Sequence, residues 1–215
     1  MKCPECGFKI EALPCRRCEE ETLRHEQEYE RLAKEFSLER GAPVTKSASE
    51  SLSFALSCIQ ARVKKERFNM TVSYKAEDLL HHANWWYVPY RWIGCNGFIV
   101  NKQDGYVNWL GSALTLRQCF WGHERSVFTD MVDFKFSPQT DKAIVTSLLG
   151  HFKHLPTDSN EPTSSEPIWY QGKEIEPALL NQFPLFKNHF VWFCIPYLME
   201  ASEKHGLHFT CSLAK

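Results

Sequence analysis

Residues 93–110 read IGCNGFIVNKQDGYVNWL. Phe98, Ile99 and Val100 form one apolar run, and Tyr106, Val107, Trp109 and Leu110 form a second. Between them lies Asn101-Lys102-Gln103-Asp104-Gly105. A loop of this length suits a type I turn closed by a glycine in the left-handed conformation. The aromatic and β-branched side chains on either side fit a pleated, half-buried surface. A lone hairpin is marginal in water, so its neighbours must supply further strands and a covering helix. The stretch therefore predicts an α+β fold built on antiparallel sheet with covering helices.

The neighbours fit that expectation. Upstream, Ser49 or Ser51 caps a helix running to about Arg67, in which Leu52, Ala55, Leu56, Ile59 and Val63 recur at helical spacing. Lys64 and Lys65 near its end suit the helix dipole. Met70–Tyr74 reads as a short strand and Ala76–His82 as a connector. Trp85–Ile93 reads as an aromatic strand, and Pro89 within it argues for an edge or a bulge. Leu114–Glu124 closes this first unit, residues 48–125, with a helix.

Residues 126–215 read as a second α+β unit. Val132–Phe136 alternates as a strand, and a helix over Gln139–Phe152 follows Ser137-Pro138. Leu155–Pro167 has the Ser/Thr/Pro-rich composition of a loop. Ile168–Ile175 reads as a strand and turn, Pro177–Phe186 as a short helix and Phe190–Ile195 as a buried strand. Pro196 opens a helix that Gly206 ends, and Leu207–Leu213 is the last strand. The order β-α-β-β-α-β fits a ferredoxin-like layer packed on the first sheet, and equally a continuation of that sheet.

The N-terminus is of another kind. Cys3-Pro-Glu-Cys6-Gly7 is followed by Cys15-Arg-Arg-Cys18. Four thiolates suit tetrahedral zinc, and each two-residue spacer lets a pair chelate from one tight turn. Residues 1–18 are too short to build a core, so metal binding would supply their folding energy. Over residues 19–47 a helix rich in Glu, Leu, Arg and Lys, with only a partial apolar stripe at Leu23, Tyr29, Leu32, Ala33 and Phe36, reads as a solvated stalk followed by a linker. The pattern CPxCG…CxxC, at Cys3, Cys6, Gly7, Cys15 and Cys18, resembles the small zinc-ribbon family, with Glu19 where a second glycine often follows.

Charge narrows what such a ribbon could do. Residues 1–40 hold eight Lys/Arg against ten Asp/Glu, and a zinc ion on four thiolates adds further negative charge. Phosphate binding needs the opposite sign, so nucleic acid is not the expected partner, although Arg16 and Arg17 stand at the knuckle tip. The whole chain has a net charge of −1, 43% apolar residues and 24% charged residues, as in a water-soluble protein. No apolar run approaches bilayer length, and MKCPECG lacks the apolar segment of a signal peptide. A cytoplasmic location is expected. The five scattered cysteines, Cys58, Cys95, Cys119, Cys194 and Cys211, then read as small buried apolar residues.

No catalytic set stands out. Cys119 and His123 share a helix face at four-residue spacing, but no orienting acid or third ligand accompanies them. The pairs His81-His82, His151 with His154, and His205 with His208 read as surface or helix-end residues. Asp130, Asp133 and Asp141 are explained by alternation and capping. Aromatics are the stronger hint. Trp85, Trp86, Tyr87, Tyr90, Trp92, Trp109, Phe120 and Trp121 exceed what one inner face needs: either both faces of the sheet are buried, or an outer face rich in Trp and Tyr suits a protein partner, with Trp85, Trp86, Tyr90, Trp92, Trp109 and Trp121 as its candidates.

The run ANWWYVPY followed by GCNGFIVNKQDGYVNWLGSA resembles a family of small bacterial immunity-protein domains from polymorphic-toxin systems. The resemblance covers about residues 50–120. It rests on Trp85, Trp86, Tyr87, Tyr90, Gly94, Asn96, Gly97, Ile99, Val100, Gly105, Val107, Gly111 and Ser112, with Phe98 where that family often has proline. It implies a non-enzymatic protein binder, one that neutralises a toxin or serves in a bacterial defence assembly. The alternatives are a nucleic-acid-associated zinc-ribbon adaptor using Arg16 and Arg17, and a metal-dependent enzyme using Cys119 and His123.

Overall fold

The computed structural model describes residues 2–4, 7–9, 15–66, 68, 72–92, 94–151, 153–154, 168–169 and 185–214, with the backbone alone at 91–92, 153–154 and 168–169. The fold is α+β with two antiparallel sheets. The first has the order β1 (Glu39–Arg40), β2 (Leu80–His81), β3 (Trp85–Trp92), β4 (Cys95–Asn101), β5 (Val107–Gly111). At its centre is the expected hairpin. Gly105 lies at φ 70°, its N–H donates to Asn101 O at 3.0 Å, and Asp104 Oδ1 accepts from Tyr106 N–H at 2.9 Å. Pro89 is accommodated because β2 is only two residues long and pairs with Trp86 and Tyr87, so no strand asks Pro89 for a donor on that side. The register shifts between Pro89 and Trp92, as a bulge would shift it. Opposite Pro89, Gly97 is at φ 133°, and a Cβ there would lie 2.6 Å from Val88 O.

Both faces of this sheet are covered. Helix α2 (Lys46–Lys65) lays Leu52, Ala55, Ile59 and Val63 against Trp86, Val88, Phe98 and Val100. Its N-cap is Thr45, whose side chain accepts from Ala48 N–H. The helix thus begins before Ser49 and Ser51, and residues 46–51 are helical rather than linker. The other face carries Trp85, Tyr87 and Ile99, packed on α1 (Arg16–Glu35) and α3 (Leu116–Glu124). Alternation along β3 sends adjacent aromatics to opposite faces, and each face finds a helix.

α1 does not stand in solvent as a stalk. Tyr29 and Leu32 are buried, and Phe36 meets Phe120 edge-on at 5.6 Å. Its partial stripe is sufficient because only its second half is covered, Leu23 remaining exposed. The helix ends at Ser37, at φ 53°, where Leu38 N–H returns to Ala33 O. α3 is set by a capping box between Thr115 and Gln118.

The second sheet has the order β10 (Phe209–Leu213), β6 (Val132–Phe136), β9 (Phe186–Phe190), β7 (Lys153–His154), β8 (Ile168–Trp169). β10, β6, β9 and β7 interleave as two β-α-β crossovers do, one through α4 (Lys142–Leu149) and one through α5 (Ile195–His205), with β8 as an added two-residue edge. α4 starts later than Gln139, because Asp141 caps it by accepting from Ala143 N–H. Phe190–Ile195 is not one strand. β9 ends at Phe190 and Trp192–Cys194 form a 3-10 turn leading into α5, where Pro196 sits in the first turn with its helix-ready φ. The expected strand at Met70–Tyr74 falls largely outside the described residues, and Val72–Tyr74 are irregular. The loop expected at 155–167, most of 168–175 and the helix expected at 177–186 also lie outside them, save β8 and the start of β9.

The core does not divide between the two units. Trp85, Tyr87 and Ile99 of the first sheet share one buried cluster with Tyr29 and Leu32 of α1. Phe120, Val145, Leu198, Phe134 and Phe136 belong to the same cluster.

Candidate metal centre

The N-terminal knuckle is folded by backbone hydrogen bonds. Lys2 and Lys9 form an antiparallel bridge, Cys3 N–H donates to Phe8 O at 2.8 Å and Gly7 N–H donates to Cys3 O at 2.9 Å. Gly7 lies at φ 72°, where a side chain would be strained. Cys15 is the N-cap of α1 and Cys18 lies in its first turn, so the three-residue interval puts both on one face. The sulfurs of Cys3, Cys15 and Cys18 all lie within 4.8 Å of one another, and those of Cys3 and Cys18 are 3.6 Å apart. A metal–sulfur bond of about 2.3 Å in a tetrahedron places its sulfurs about 3.8 Å apart. The three cysteines therefore fit the donor set of one metal ion. Cys3 and Cys15 are buried and Cys18 half-buried. Cys6, the fourth expected ligand, lies outside the described residues.

Two features frame the cluster. The Arg17 guanidinium lies 3.9 Å over the Phe8 ring. Beside Cys18 opens a cleft of about 960 Å³ bearing Glu21, Glu26, Glu77 and Asp78 against Lys75 and His25. Its sign repels phosphate.

The aromatic candidates fall elsewhere than a free outer face. Trp85, Trp86 and Trp121 are 2%, 0% and 5% exposed, so they are core and offer no docking surface. The sheet has a helix on each side, which consumes both of its aromatic faces. Tyr90 and Trp109 are half-buried, Trp109 against Phe98 and Phe68. The side chain of Trp92 lies outside the described residues.

Cys119 and His123 do not act on each other. The Cys119 thiol is fully buried and pushed up to about 12 by that burial. His123 Nε2 donates to Asn101 Oδ1 at 2.9 Å, and its Nδ1 faces Asn108 Nδ2 at 3.5 Å. Burial holds it neutral, with its pKa lowered to about 3. Asn108 Oδ1 in turn accepts from Thr129 N–H and Oγ1–H. This buried polar network had no sequence signal, since its members are scattered and none repeats a motif. His81 stacks on Trp86 and His82 on Trp85, on opposite faces of the sheet. Lys102 Nζ touches His81 Nε2 and His82 O. The three aspartates are separate. Asp130 takes a two-pronged contact from Arg62 and a hydrogen bond from Tyr106, Asp133 accepts from Asn188 N–H, and Asp141 caps α4.

No protein-family model, curated protein or solved structure matches the chain. Among the described residues no helix is long and apolar enough to cross a membrane.

Proposed function

We propose that this chain is a zinc-stapled protein-binding module, working without catalysis in a reducing compartment such as the bacterial cytoplasm. The observation that carries the metal half is the convergence of Cys3, Cys15 and Cys18 at the start of α1. Zinc is the ion that four cysteines at this spacing suit best, with Cys6 completing the set, and such closed sites staple rather than react. The protein-binding half rests on the resemblance of residues 50–120 to immunity domains, which need only a complementary surface to block a toxin or join a defence assembly. The buried Cys119 thiol and the amide-locked His123 weigh against the enzyme reading, because neither is poised for proton transfer. The acidic cleft beside Cys18 weighs against nucleic acid.

Native purification through a C-terminal tag tests both halves. The expected result is about one zinc per chain and a stoichiometric protein partner that is toxic when expressed alone. A chain free of zinc after expression with added metal would remove the staple. A chain carrying nucleic acid and no protein would replace the partner reading by the adaptor.

A further inference from the structure

A second site lies away from the cysteines, at the C-terminal end of α3. There a pocket of about 530 Å³ opens between that helix end and the tip of the β3–β4 pair. We propose that it binds an oxyanion, a carboxylate or phosphate group, through hydrogen-bond donors that the surrounding contacts oblige to face it.

The donor inventory follows from contacts already made. His82 Nδ1 accepts from Asn84 N–H at 3.2 Å, so the proton of this ring sits on Nε2. Burial first, and then the charge of Lys102, lower the affinity of His82 for a second proton. Asn101 Oδ1 is taken by His123 Nε2–H, which leaves the Asn101 amide N–H groups for the pocket. Arg125 supplies a cation, its guanidinium held 4.3 Å over the Trp121 ring. Trp85, only 2% exposed, lines the same pocket, and its indole N–H has no acceptor among the described residues. The His82 ring stacks on the Trp85 ring, with centroids 5.0 Å apart.

The helix end would ordinarily repel an anion, because unpaired carbonyls carry partial negative charge there. Here three of them are occupied. Trp121 O accepts from Arg125 Nη1, Gly122 O from Arg125 and Val127 N–H, and His123 O from Ser126 N–H. Ser126 holds φ 59° in this cap, a position where glycine is the unstrained choice, and the residue lines the pocket. The opposing charge is the Glu124 carboxylate, 3.9 Å from Arg125 Nη1. Burial raises its pKa.

The test is a titration of the zinc-loaded full chain, isotope-labelled, with sodium phosphate and separately with sodium acetate at fixed ionic strength. Saturable shifts at the backbone amides of Arg125 and Ser126 are expected with at least one probe. Saturation by phosphate alone would name a phosphate ligand, and saturation by acetate would name a carboxylate such as a partner's acidic side chain. Arg125→Gln should weaken binding by ~10-fold, the loss of one charge-assisted contact. Glu124→Gln should tighten it by ~3-fold, since it removes the carboxylate that lines the pocket. No saturable shift with either probe, or weaker binding in Glu124→Gln, overturns the proposal. The Glu124 variant decides alone should Arg125→Gln lose its fold, because the Glu124 side chain is partly exposed and stands 3.9 Å from its Arg125 partner.

Discussion

Trp86 is the residue on which the first sheet closes. It is fully buried, its indole N–H donates to Ser51 Oγ at 3.0 Å, and its ring stacks on His81 at 4.2 Å. Trp86→Ala should therefore lower stability by ~3–5 kcal/mol, the cost of a large core truncation, read by chemical denaturation. A loss below ~1 kcal/mol would mean that the residue is not core. Ser126→Gly should act in the other direction, raising stability by ~1 kcal/mol as the left-handed strain is relieved. His123 sets a pH dependence. Its folded pKa, about 3, lies below the ordinary 6.5, so between these values the unfolded chain binds a proton that the folded chain refuses. Stability is thus full above pH 6.5 and falls with acid through that window by up to ~1.4 kcal/mol per pH unit. His123→Gln should flatten this acid limb between pH 6.5 and 4.5, measured as denaturation midpoint against pH. Asp130 has the same sign at lower pH. Burial raises its pKa, but hydrogen bonds from Arg62 and Tyr106 more than offset that and hold it below the usual aspartate value.

Among the elements, α1 joins two regimes. Its first turn carries Cys15 and Cys18, whereas its second half is anchored by Tyr29, Leu32 and Phe36 in the main core. Removing the metal should accordingly free the knuckle and fray the first turns of α1 without unfolding the sheets. Hydrogen exchange with and without a chelator checks this. Faster exchange confined to residues up to about the middle of α1 is expected, and protection unchanged at Arg17–Glu21 would show that no metal organises that end. The hairpin loop illustrates the opposite dependence, on packing rather than on a ligand. A Cβ at Gly105 would lie 2.7 Å from Cys58 Sγ and 2.8 Å from the Phe54 ring, both on α2. The left-handed turn and the close approach of α2 thus require the same glycine.

Across the whole molecule, the continuous burial from Tyr29 through Phe120 and Leu198 to Phe136 makes the two sheets one mechanical body. Arg117 adds a polar tie, contacting Glu35 of α1 and Glu203 of α5 from its place on α3. These exposed ion pairs contribute little compared with the apolar cluster. Unfolding should then follow one transition, with tryptophan fluorescence, dominated by the first sheet, and far-ultraviolet circular dichroism giving coincident midpoints. Two separated midpoints would mean that residues 48–125 and 126–215 fold apart.

Short-range rules account for the features that could be read from residue order. Gly105 and the paired apolar runs specified the hairpin, Pro89 the bulge, Pro196 and Gly206 the bounds of α5, and the cysteine spacing the convergence of Cys3, Cys15 and Cys18. Each of these is a conformational or donor preference expressed within a few residues. Tertiary structure alone decided which surfaces survive. Periodicity told that Trp85 and Trp86 face opposite ways, but not that α1 and α2 lie over both faces and bury these two rings. A strand pattern records which side a residue faces and nothing of what lies there. The meeting of His82, Asn101 and Arg125 around one pocket was illegible for the same reason. Distant segments are brought together by the close packing of helices and sheet, and no local signal encodes that juxtaposition.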